Sequence, residues 1–213
     1  MEDAALEDAG RRLTADAREA FARAAAPALA LLLAARVAFA LEIAGVEFPS
    51  SLEAAPGGTA LVLNGAGIRN AFFLDVYAVG LYLPRRTPSA AEAIDGTGAR
   101  RVAIRLLRDV SARRFSDALE SGLRGNHSEA QMEQLAPRIQ QLRDIMSELG
   151  VARAGMRIDL DMLPGIGTVV TIDGRPRGAP IPGEDFYRAL LKNWLGERPV
   201  SAELKRALLG ASD

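Results

Sequence analysis

Between Leu61 and Leu83 apolar side chains occupy both odd and even positions. Leu61 to Leu63 is a short aliphatic run, and Asn64, Gly65 and Gly67 then interrupt it with residues that tolerate positive φ. A second run extends from Asn70 to Pro84. Phe72, Leu74, Val76, Ala78, Gly80 and Tyr82 share one face of it, and Phe73, Asp75, Tyr77, Val79, Leu81 and Leu83 share the other. The pattern predicts a strand, a glycine turn and a long central strand covered on both sides. Gly80 marks a bend, a bulge or a close approach by another group. Arg69 falls at the mouth of this hairpin, where a cation needs an acid, solvent or an anionic ligand.

Alternation and helical periods predict the remaining elements. Ile43 to Phe48 reads as one short strand ended by Pro49, and Pro56-Gly57-Gly58 as a turn into the strand Thr59–Leu63. Pro88 to Ile94 reads as a short helix ended by Gly96 and Gly98. Arg101 to Leu107 is a strand, and Asp109 or Ser111 caps the helix that follows to Leu123. Ser128 opens a longer helix to Leu149, in which Pro137 produces a kink or a split. Met132, Leu135, Ile139, Leu142, Ile145, Met146 and Leu149 keep one helical face across that proline. Met156, Ile158, Leu160 and Met162 alternate with Asp159 and Asp161. Two carboxylates on one strand face can bind a metal, but a solvated face is the commoner arrangement and is expected here. Thr168 to Ile172 leads into the hairpin signal Asp173-Gly174. Glu184 to Leu195 is amphipathic, with Phe186, Leu190, Leu191 and Trp194 inward, and Ser201 caps a last helix. Antiparallel-looking strand groups with helices between and after them predict an α+β fold.

Length and composition narrow the functional classes. A chain of 213 residues with 49% hydrophobic and 25% charged residues forms one domain with a full core. A net charge of −1 provides no field that draws in nucleic acid. Without cysteine there is no disulfide, thiolate metal site or cysteine nucleophile. His127 is the single histidine and sits at a helix junction, which removes histidine triads and histidine metal clusters. G-A-G-I-R-N has Asn70 where a dinucleotide fingerprint needs its third glycine, and a strand follows it rather than a helix.

Residues 1–40 form an N-terminal extension, and residues 41–213 the domain. Ala24 to Ala35 is an apolar run, and Ala38-Phe39-Ala40 is an A-x-A site, the pattern of a secretory signal. The run is too short to span a membrane. Export with Leu41 as the new N-terminus, and a periplasmic or secreted location, is the expectation. An acidic segment before the run and Arg36 after it depart from that pattern, and a cytoplasmic Ala-rich helix is the alternative.

Gly65, Ala66, Gly67 and Arg69, followed by a strand carrying Ala78, Gly80, Tyr82 and Leu83, resemble the chalcone isomerase superfamily. Together with the segment Ile181 to Gly196 (IPGEDFYRALLKNWLG), they are most similar to its bacterial chalcone isomerase-like branch. The resemblance runs from about Gly45 to Gly210. It implies an open-faced β-sandwich, a large mainly antiparallel sheet covered by helices, with a ligand cleft between them. The family reaction closes a 2′-hydroxychalcone to a flavanone by attack of a phenolate on an enone, without a cofactor. It proceeds by positioning and electrostatics.

Arg69 falls on the family arginine. Tyr77 stands where the family has threonine, Phe115 where it has tyrosine and Gly122 where it has asparagine. With those donors gone, efficient cyclisation is not expected, since each preorganised donor is worth a few kcal/mol of barrier. The resemblance therefore implies binding of a small amphipathic anion, fatty-acid-like or flavonoid-like. Arg69 and Tyr77 supply the polar contacts, and Phe72, Phe73, Val79 and Phe115 the apolar wall. An intramolecular lyase using Arg69 and Tyr77 is the second reading. A vestigial cleft with Arg69 in a structural ion pair is the third. No metal is expected.

Overall fold

The computed structural model describes residues 40–53, 58–71 and 73–211. The signal-like segment, most of the Pro56-Gly57-Gly58 turn and Phe72 lie outside the described residues. The chain opens with a small hairpin, β1 (Ala40–Ile43) and β2 (Val46–Pro49). This replaces the single strand expected from Ile43 to Phe48. Ala44 and Gly45 both take positive φ, 52° and 74°, and form a two-residue turn that reverses the chain. Alanine in the first turn position is what hid it.

The main strands follow as β3 (Ser51–Glu53), β4 (Ala60–Ala71) and β5 (Leu74–Leu83), then the short helix α1 (Ala90–Asp95) and β6 (Arg100–Leu106). A β7 (Val110–Ser111) and β8 (Val151–Ala152) pair brackets the helices α2 (Ala112–Asn126) and α3 (Glu129–Ser147). The chain ends with β9 (Arg157–Leu163), β10 (Gly167–Ile172), β11 (Arg175–Ile181), α4 (Glu184–Leu195) and α5 (Ala202–Leu208). Seven strands form one antiparallel sheet in the order β11-β10-β9-β6-β5-β4-β3. β5 sits inside it, as its two apolar faces require.

One face of the sheet carries Tyr77, Val79, Leu81, Ile104, Ile158 and Leu160 and packs against the helices in the larger core cluster. The other face carries Ala78, Tyr82 and Ala103 and packs under Phe48 of the β1–β2 hairpin. A Cβ on Gly80 would stand 2.6 Å from the Phe48 ring, so Gly80 serves a close approach. Ser128 and Gln131 close a capping box at the start of α3, and Ser111 caps α2. α3 continues through Pro137 without splitting, held by the buried row from Met132 to Met146.

The glycine turn expected at 64–67 is absent. β4 continues through these residues with a register irregularity after Leu63, and the chain reverses between Ala71 and Leu74 instead. The glycines answer a packing demand. A Cβ on Gly65 would lie 2.1 Å from the Ala207 carbonyl oxygen, and one on Gly67 would lie 2.9 Å from Leu204 and Ala207 side-chain carbons. α5 therefore lies directly on the β4 backbone. Asn64 ties the two together by donating through Nδ2 to the Leu208 carbonyl at 2.7 Å.

The acidic face of β9 is not solvated as expected. Asp161 is 3% exposed and accepts from Arg101 Nε and Nη2 at 2.6 and 3.0 Å, while Asp159 accepts from Arg105 at 2.6 Å. On the neighbouring strand β6, Arg101 stands directly opposite Asp161, and Arg105 reaches Asp159 diagonally, two residues along from its register partner Ala103, so cross-strand pairing displaces water.

The contact between α5 and β4 yields a stability prediction. Gly65→Ala is expected to cost about 3 kcal/mol in urea unfolding, the upper end for an overpacked site, because backbone atoms of α5 must move.

Candidate functional site

The β4–β5 register sets Arg69 directly opposite Tyr77, so their side chains rise from the same face of the sheet. That face looks toward the helices, since Gly65 and Gly67 lie on it beneath α5 and Tyr77 belongs to the helix-side core. On its other side Tyr77 pairs with Leu106 of β6, and Val79 pairs with Gly67 and Ile104.

Tyr77 is 8% exposed, and its hydroxyl accepts a hydrogen bond from Trp194 Nε1 at 3.0 Å. Trp194 comes from α4, whose inward face delivers it to the sheet. Phe115, in the first turns of α2, meets the Tyr77 ring edge-on with centroids 6.3 Å apart. Burial raises the Tyr77 pKa above the usual phenol value, with the Trp194 hydrogen bond and the Arg69 charge pulling it back. The phenol is therefore neutral at physiological pH. Its oxygen is engaged as an acceptor, and its proton has no acceptor among the described residues.

Arg69 is half-buried, and its guanidinium donates to the carbonyl of Asn70. No carboxylate among the described residues lies within ion-pair distance of it. Asp75 is the acid nearest in the strand pair, and it accepts instead from the Asn70 amide. Arg69 thus lies half-buried towards the end of the strand pair, while the Tyr77 hydroxyl is buried in the helix-side layer with Phe115, Val79 and Trp194.

The remaining expected residues divide. Val79 is fully buried and forms the floor rather than an exposed wall. Phe73 is not in the cleft: it is fully exposed at the hairpin tip, with φ at 66°. The turn at Phe73 precedes the start of β5 at Leu74, so the alternation that put Phe73 on the Tyr77 face does not reach it. Phe72 lies outside the described residues. His127 Nδ1 is 2.9 Å from the Leu123 carbonyl oxygen, a local helix-end contact far from base chemistry on Tyr77.

Two site residues escaped the sequence reading. Trp194 was legible as an inward helix residue, but its polar contact to Tyr77 was not. Asn193 is 1% exposed and fills the space above Gly122, where an added Cβ would be 1.9 Å from Asn193 Oδ1. Its Nδ2 donates to Leu190, and its Oδ1 has no partner among the described residues. A lone Asn on an otherwise apolar helix face was the available signal.

Comparison with known proteins follows this geometry. The chalcone isomerase-like family profile matches residues 40–210. The chain belongs to the chalcone isomerase-like family. Among solved structures it is similar to the fatty-acid binding protein AtFAP1 of Arabidopsis thaliana, with a TM-score of 0.64 at 17% identity. The match covers 80% of this chain and 96% of that one, and establishes the shared fold. No curated protein matches the sequence. Among the described residues no cluster of three or more His, Cys, Asp or Glu is arranged to hold a metal, and no helix is long and apolar enough to cross a membrane.

The hydrogen bond on the floor of the site is directly testable. Tyr77→Phe leaves the Trp194 indole N–H buried without an acceptor, and is expected to lower stability by about 1–3 kcal/mol in urea unfolding. The emission of Trp194, the one tryptophan of the chain, should shift in the folded mutant.

Proposed function

We propose that this chalcone isomerase-like domain binds a small amphipathic anion between sheet and helices and is not an efficient isomerase. The observation that carries the reading is Arg69: a half-buried guanidinium on the helix-facing side of the sheet, beside a buried phenol with a spare proton, and without a matching carboxylate among the described residues. A carboxylate head group would accept from both donors, and a charge-assisted bond to arginine is the strongest available there. AtFAP1 binds fatty acid, and the shared fold supports a long-chain carboxylate as the first candidate.

Cyclisation is less well supported. Phe115 offers no hydroxyl, the Tyr77 oxygen is already engaged by Trp194, and its raised pKa gives no base near neutrality. The floor is closed by Trp194, 2% exposed, so a tail that passes Tyr77 must displace the indole. Binding of this kind registers in tryptophan emission.

Calorimetric titration of a long-chain fatty acid is the test. Arg69→Ala is expected to weaken affinity about tenfold or more, the scale of one lost charge-assisted hydrogen bond, with little change in melting temperature. Arg69→Lys should recover part of it, because an ammonium lacks the planar fork. Equal affinities with a large loss of stability would make Arg69 structural and end this reading.

The resemblance to the bacterial branch and the signal-like segment 24–40 support export to the periplasm, with residues 1–40 removed. The family match begins at residue 40, where the A-x-A site ends. N-terminal sequencing of protein from its native cells should read Leu41 first. An intact Met1 in a cytosolic fraction would contradict export.

A further inference from the structure

Arg100 opens β6 on the helix-facing side of the sheet and is 1% exposed. Its Nη1 donates to the Ile94 carbonyl at 2.8 Å, and its guanidinium lies over the Tyr187 ring, 5.3 Å from the centroid. Its Nε and Nη2 have no hydrogen-bond partner among the described residues. These two atoms form one edge of the guanidinium, the edge that grips a carboxylate with two parallel N–H bonds. The next residue shows that edge filled: Arg101 Nε and Nη2 each donate to one oxygen of Asp161. Arg101 points to the opposite face of the sheet, and Arg100 repeats its chemistry without the acid.

The acids around Arg100 are committed elsewhere or turned away. Glu92 accepts from Thr87 Oγ1 at 3.0 Å and lies 3.8 Å from Arg85. Glu184 pairs with Arg188 at 3.3 Å. Asp95 is exposed, and none of the three is within ion-pair distance of Arg100. Burial pushes the Arg100 pKa below the usual arginine range, with Tyr187, Glu184 and Asp95 among the groups pulling it back up. Arginine nonetheless keeps its charge at neutral pH, so the cost of a buried, half-matched cation remains. Beside it is a cavity of about 420 Å³, walled by Arg100, Arg85, Thr87, Thr97 and the acids Glu92 and Asp95.

We propose that Arg100 is the floor of a second anion site, which takes the carboxylate of a small monocarboxylic acid side-on and is entered through this cavity. The two acids in the wall set the charge it accepts. One negative charge is matched by Arg100, whereas a dianion would be repelled by Glu92 and Asp95. The site is separate from Arg69. Tyr77 pairs with Leu106, and Arg100 lies six residues away along the same strand, about 20 Å, with buried Val102 and Ile104 between.

The test uses the full chain carrying Arg69→Ala, so that a signal cannot arise at the first site and failure there does not decide the outcome here. Formate is titrated into ¹⁵N-labelled protein at constant ionic strength, with chloride and phosphate as controls, and the arginine Nε–H correlations are read. The Arg100 correlation is assigned through its own backbone, so no variant at that position is needed. Formate should move it downfield saturably and raise the melting temperature, while chloride and phosphate do neither. A correlation that formate leaves in place overturns the proposal. So does one already downfield without formate that moves back in Asp95→Asn or Glu184→Gln, because the chain's own acid then fills the edge.

Discussion

The pairing of β4 with β5 is the constraint on which the rest depends. Its register puts Arg69 across from Tyr77 and turns both toward the helices. A slip of one residue would send Arg69 to the Phe48 side and bury its charge under the β1–β2 hairpin. Several features hold the register. Irregularities after Leu63 and Arg69 fix the alignment locally. Gly65 and Gly67 must face α5, because any side chain there collides with it. Gly80 must face Phe48 for the same reason. Glycines on both faces leave the strand pair one arrangement in which nothing clashes.

This explains what could be read from the sequence and what could not. Elements with a clear period were legible almost to the residue: the helix Glu184–Leu195, the helix start at Ser128 and the alternation of β9. Glycines were the weak point. Asn64, Gly65 and Gly67 look like a turn because the composition is that of a turn, yet their backbone is extended and the missing side chains make room for a helix 140 residues later in the chain. The reversal falls between Ala71 and Leu74, where nothing in the composition marks it. Asp159 and Asp161 look solvated on β9 alone, and only the neighbouring strand reveals their arginines. In each case a partner distant in sequence decided the outcome.

The site follows the same division. Arg69 and Tyr77 could be singled out as polar groups in an apolar strand pair, whereas the register that sets them opposite each other could not. The contact of Trp194 was not legible, because it is made across the fold to Tyr77, and Asn193 packs over Gly122 of α2 with its one hydrogen bond made locally to Leu190. Trp194 gives the Tyr77 oxygen a fixed partner, and Asn193 enters the volume opened at Gly122. A polar amide is thus supplied from α4 where α2 has none. The interior is packed and its phenol is neutral, so it offers no general base near neutral pH.

Three arginines of this domain show how a guanidinium can be satisfied on a sheet. Arg101 is filled along one edge by Asp161. Arg69 is half-buried and held by its own strand, without an acid in ion-pair distance among the described residues. Arg100 is buried with the same edge open. A fold that pairs Arg101 and Arg105 across strands has the means to pair the other two, since an acid one register position away would suffice. At Tyr77 and Leu106 on the helix face, where such partners for Arg69 would lie, the chain instead places a phenol and an aliphatic side chain. Beside Arg100 it places Met162. A buried cation without a matching acid is costly, and Arg100 is the point of this sheet at which cross-strand pairing does not extend to a buried guanidinium.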